Sequence, residues 1–127
     1  MHYKAGKFLN DIRQRTQYLP DVAASTSPNA FLSEIGPHTL AERHFEVIAE
    51  AGARLQRIDP RTASRLVSLV DARGLRNFIA HGYDDVEILV GLWSYMTEQA
   101  PTLIIECKEL LQEYVDTFGA NPEIPLD

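Results

Sequence analysis

The sequence predicts an all-α protein, an up-and-down bundle of four to five helices. Three observations carry that expectation. Apolar residues recur at three- and four-residue steps through most of the 127-residue chain. No segment alternates with period two, and strand punctuation such as Asn-Gly is absent. Proline and glycine fall where the helical periodicity changes register.

The first helix is expected over residues 4–19, with Phe8, Ile12 and Leu19 on its apolar stripe beside Leu9 and Thr16, and with Pro20 ending it. Residues 20–28 read as loop. A short helix is expected over 29–35, closed by Gly36. Pro37 then suits the first turn of a long helix to about Ile58, with Leu40, His44, Val47, Ile48, Ala51, Leu55 and Ile58 on one face. Asp59-Pro60 is a restart signal, the aspartate as N-cap and the proline at the first helical position. The helix it opens is expected to reach about Ala80, with Leu66, Leu69, Val70 and Ile79 inward and Gly74 as a weak point. Asp84 or Asp85 would cap the next helix, which carries Val86, Leu89, Val90, Trp93 and Met96. Pro101 is expected to break or kink it. A continuation holds Leu103, Ile104, Leu110, Leu111, Val115 and Phe118 until Gly119 closes it. The expected organisation is one helical domain, residues 1–119, and an exposed tail, residues 120–127.

The length suits a single core. One cysteine, Cys107, excludes an intramolecular disulfide or a multi-cysteine metal site, and favours a reducing, cytoplasmic setting. The N-terminal residues lack the apolar core of a signal peptide, and the densest apolar run, residues 88–93, is too short to span a bilayer, so no membrane role is expected. Four scattered histidines offer no pair at metal-ligand spacing with carboxylate support, so neither metal nor cofactor is expected; His44 reads as a packed or interface residue, and His2 and His38 as exposed.

A net charge of −6 argues against a broad nucleic-acid-binding surface. The charge is uneven, however. Residues 54–76 carry Arg54, Arg57, Arg61, Arg65, Arg73 and Arg76 against Asp59 and Asp71, a local excess of +4, whereas residues 77–127 net −9. The acidic third reads as a solvated face.

The basic stretch leads into Arg-Asn-Phe-Ile-Ala-His-Gly-Tyr at 76–83. Cleaving RNA without a metal needs a base for the 2′-hydroxyl proton, an acid for the leaving 5′-oxygen and a cation for the phosphate. Histidine titrates near neutrality, and the arginine fork matches phosphate oxygens. Arg76 and His81 supply these types. A five-residue separation puts them about 140° apart on one straight helix, so they would not share a face. Either the helix ends at His81, with Gly82 turning the chain, or two copies of the chain share one site about a two-fold axis. The alternative role for Arg76, His81 and Tyr83 is to satisfy buried polar groups at a helix end. Glu50, on the long helix, either faces Arg76 or His81 across the bundle or is a plain solvent-facing residue.

This segment resembles the Arg-x4-His-x-Tyr motif of the HEPN superfamily, and within it the HepT-like toxins. Phe45-Glu46-Val47-Ile48-Ala49-Glu50-Ala51 is similar to a helix of that family, with Ala49 where glycine is usual; Asp84-Asp85-Val86 and Pro101-x-Leu103 also fit its layout. The resemblance covers roughly residues 8–113. It implies a HEPN-like homodimer with a composite site, acting as a metal-independent endoribonuclease and as the toxin of a type VII-like toxin–antitoxin pair. Arg76 and His81 match the catalytic positions, and Asn77 matches the polar residue after the arginine. Tyr83 matches the tyrosine that a minimal nucleotidyltransferase antitoxin modifies with AMP, placing negative charge where RNA phosphate would sit. The runner-up is a non-catalytic HEPN binding module that partners a nucleotidyltransferase.

Overall fold

The computed structural model describes residues 1–80 and 86–124; within 71–80, side chains are described at Ala72, Arg76 and Asn77. His81, Tyr83 and the expected Asp84/Asp85 cap lie outside the described residues. Among those described, the chain is all-α with no strand. Its helices are α1 (Ala5–Thr16), α2 (Tyr18–Ala24), α3 (Pro28–Ser33), α4 (Ile35–Ile58), α5 (Pro60–Ala63), α6 (Val67–Ala80), α7 (Val86–Ser94) and α8 (Ala100–Phe118), with a π-helical turn, Tyr95–Gln99, between the last two. None of the described helices is long and apolar enough to cross a membrane.

α4 is the central element, packing on α1, α5 and α6, while α1 also packs on α8. Ala41, Phe45, Ile48, Gly52 and Leu55 recur on its core face at three- and four-residue steps and are buried. Phe45 is fully buried and meets Tyr95 edge-on, ring centroids 5.1 Å apart; truncating such a phenylalanine removes about 3–5 kcal/mol of stability. α4 crosses α6 at close range. A Cβ added at Gly52 would lie 2.9 Å from Leu69 Cδ2, so the absence of a side chain at 52 sets the separation of the two helices.

Pro37 and Pro60 sit in helix first turns as expected, whereas Pro20 and Pro101 behave differently from the sequence expectation, for one physical reason. The first-turn N–H groups of a helix have no intrahelical acceptor, so proline is tolerated there. Pro20 does not end α1, which stops at Thr16; it lies in the first turn of α2, and the expected 20–28 loop is helical to Ala24. Burial of Leu19 and Val22 gives that helix its apolar face. α3 begins at Pro28 behind Ser27, whose hydroxyl accepts from Ala30 N at 3.2 Å, and ends at Ser33 rather than 35. Glu34 is extended, so Gly36 and Pro37 both fall in the first turn of α4. Pro101 breaks nothing. The π-helical turn precedes it, Ala100 N donating to Tyr95 O, and the chain is helical from Val86 to Phe118.

Asp59 caps α5 as expected, accepting from Thr62 N at 3.1 Å and from the Thr62 hydroxyl at 2.7 Å. The expected single helix after it is interrupted at residues 64–66, where Leu66 turns fully into the core. Four expected core residues are exposed instead: Leu40, Val70, Val86 and Val90. Each lies off the stripe that its helix turns inward. Phe118 is exposed too, and Gly119 closes α8 with φ +94°.

The tail is not simply an exposed extension. Ile124 is buried and Asn10 Nδ2 donates to Glu123 O at 3.1 Å, which ties residues 121–124 to α1. His2 is half-buried rather than exposed, its backbone N donating to Asp59 Oδ2 at 2.8 Å. His38 is also half-buried, beside Glu42.

Candidate functional site

Helical periodicity places Arg43, Glu46, Glu50, Ala53 and Arg57 on one outward stripe of α4. The last two turns of α6 carry Arg76 and Asn77, both exposed. These two surfaces form the walls of a groove of about 570 Å³, with Ala49 also lining it. The close α4–α6 crossing at Gly52 and Leu69 brings the two walls together, and the small side chains Ala49 and Ala53 leave room between them.

The groove's charges are unevenly engaged. Arg43 Nη1 donates to Glu46 Oε2 at 3.2 Å, and Arg54, outside the groove, donates to Glu50 Oε1 at 3.0 Å. Such exposed pairs contribute at most about 1 kcal/mol each. They do, however, neutralise both carboxylates of the groove. Among the described residues, neither the Arg57 nor the Arg76 side chain has a hydrogen-bond or ion-pair partner. Both guanidinium forks therefore face solvent with their donors available.

Of the residues singled out in the sequence, Arg76, Asn77 and Glu50 come together on this groove. Glu50 sits on its rim, also lines a neighbouring groove between α1, α2 and α4, and is held by Arg54 rather than by Arg76. His81 and Tyr83 follow α6 directly in sequence and lie outside the described residues. Arg43, Glu46 and Arg57 were not anticipated as site residues. Their signal was the 43/46/50/53/57 recurrence opposite the apolar stripe of α4, which on its own reads as an ordinary solvated face.

The basic stretch 54–76 divides by role. Arg54 pairs with Glu50, and Arg65 pairs bidentately with Glu113 of α8, Nη1 to Oε1 at 2.9 Å. Arg57 and Arg76 remain for the groove, and Arg61 is exposed on α5.

Two other reactive side chains are structural. The His44 ring stacks on Tyr18 with centroids 5.0 Å apart and planes 2° from parallel, and Arg15 Nη1 approaches its Nδ1 at 3.4 Å. Burial, then the Arg15 charge, hold its pKa below the usual histidine value, so the imidazole is neutral and accepts. Cys107 is fully buried, and burial, with Glu106 adding to it, pushes its thiol up to about 12, which removes it as a nucleophile.

No protein-family model, curated protein or solved structure matches the chain. The functional reading therefore rests on the chain's own residues and on the motif resemblance at 76–83.

Proposed function

We propose that this protein is a HEPN-type endoribonuclease, working as a homodimer and as the toxin of a toxin–antitoxin pair. The observation that carries the reading is the placement of Arg76. An arginine without an ion-pair partner among the described residues stands in an open groove with Asn77 beside it, five residues ahead of the motif's histidine. In the proposed reaction the 2′-oxygen attacks phosphorus in line as its proton passes to a base. The bond to the 5′-oxygen breaks as that oxygen is protonated, leaving a 2′,3′-cyclic phosphate. His81 serves as base or acid, and Arg76 holds the phosphate oxygens as charge builds on them. No step draws on a metal.

A second copy of the chain would supply the second histidine. The outer face of α6 favours such a partner. Val67, Val70, Gly74 and Asn77 recur at three- and four-residue steps and are all exposed, Val67 at 71% and Val70 at 69%. Control by a minimal nucleotidyltransferase adding AMP to Tyr83 follows from the motif resemblance alone. It is tested by intact mass after co-expression with a minimal nucleotidyltransferase, where any AMP increments should vanish in Tyr83→Phe.

Purified protein should cleave RNA in EDTA, and His81→Ala should abolish cleavage. A protein that binds RNA and the nucleotidyltransferase without cutting would instead be the non-catalytic binding module.

A further inference from the structure

We infer that Arg57 is a second phosphate-binding residue, on the groove wall opposite Arg76, which makes the groove a site for single-stranded RNA several nucleotides long. This deepens the proposed function and rests on it. Arg57 and Arg76 line the same groove from opposite walls, one on α4 and one on α6. Each glutamate of the groove is engaged by an arginine of its own helix, Glu46 by Arg43 and Glu50 by Arg54. Among the described residues, two guanidinium groups are thus left uncompensated in one trough, an arrangement that suits a polyanion. None of the acids of α8 lines it.

Scale decides the ligand class. Arg43 and Arg57 lie at the two ends of the α4 stripe, 14 positions apart in sequence. At ~1.5 Å per residue they are about 21 Å apart along the helix axis and within roughly 40° of the same face. A stacked strand rising ~3.4 Å per nucleotide covers that length in about six nucleotides. Single-strand sites of one small domain commonly span ~4–16 nucleotides. A single nucleotide would cover only about one-sixth of that length. On the α4 wall the Ala49 and Ala53 methyl groups between Arg43 and Arg57 offer no donor for base edges, so contact along that wall is to phosphates and is indifferent to sequence.

The test uses 2′-O-methyl oligoribonucleotides of mixed sequence, about four and about twelve nucleotides long. These cannot be cut through the 2′-oxygen, so binding is read apart from catalysis. Affinity is measured against salt for the wild type, Arg57→Ala and Arg61→Ala, each checked for folding by circular dichroism. Arg57→Ala should weaken binding of the long strand about five- to tenfold at low salt. It should also reduce the slope of log affinity against log salt by ~0.7, the amount expected for one lost phosphate contact on a single strand. Binding of the short strand should change less than about twofold, and Arg61→Ala should match the wild type at both lengths. Equal affinities of Arg57→Ala and wild type for the long strand would overturn the inference, as would equal losses in Arg57→Ala and Arg61→Ala. Tighter binding of a duplex of the same length would overturn the single-strand assignment. If the wild type binds no oligonucleotide and cuts no RNA, the proposed function itself falls. If it cuts RNA but ignores Arg57, only this inference falls.

Discussion

The two ends of α6 are built to opposite ends. At the start, Glu106 of α8 accepts from Val67 N at 2.9 Å and Ser68 N at 3.3 Å, the Tyr95 hydroxyl donates to Ser68 O at 2.7 Å, and Arg65 just upstream is held by Glu113. These contacts fix the start of the helix. Nine residues on, Arg76 and Asn77 are exposed on a groove, and the Arg76 fork has no partner among the described residues. The difference separates stability from function along one helix. An anchored start lets the other end present polar groups that contribute little to folding.

That contrast breaks most sharply at Arg76. Arg76→Ala should lower RNA cleavage by about 10²–10³-fold, the scale of losing one charge-stabilising donor, while shifting urea-unfolding stability by less than about 0.5 kcal/mol. A comparable loss of stability would mean the arginine is structural. Gly52→Ala should act in the reverse sense. Its methyl would press on buried Leu69 at the α4–α6 crossing, lowering stability by about 1–3 kcal/mol. Glu106→Ala removes the cap on α6 and should lower stability by about 1 kcal/mol. Because the groove lies at the far end of the helix, the folded fraction of this variant should retain the wild-type affinity for RNA. Gly74→Ala is the smallest case. Nothing lies within 4 Å of the added Cβ, so chemical denaturation of dilute protein should show a gain of up to about 1 kcal/mol.

The pH dependence belongs to neither end. His44 has a folded pKa below its unfolded value of 6.5, so the unfolded chain binds the proton more readily. Its contribution is present above pH 6.5 and is lost as pH falls from there through the lower folded value. A His44→Gln variant should show a flatter stability profile over that window than the wild type.

Some of this was legible in the residues themselves. The end of α4, the Asp59 cap and the Gly119 stop are local chemistry, and each was readable from one or two residues. The helix start at Pro37 was readable too, but the roles of Pro20 and Pro101 were not, because a proline that forbids a helix interior is equally at home in a helix's first turn. The break before α6 was also hidden, since it depends on Leu66 burial and on Glu106, forty residues downstream in the chain. At the site, Arg76, Asn77 and Glu50 could be named from the motif and the helix pattern. Arg57 could not, because an arginine on a polar helix face acquires meaning only when a second helix closes a groove over it.

Cleavage of RNA by purified protein in excess EDTA tests the central claim most directly. The account predicts cleavage by the wild type, with a 2′,3′-cyclic phosphate on the 5′ fragment, none by His81→Ala, and cleavage lowered about 10²–10³-fold by Arg76→Ala. Wild-type protein that cuts no RNA at matched concentration, or cleavage that survives both substitutions, would contradict it.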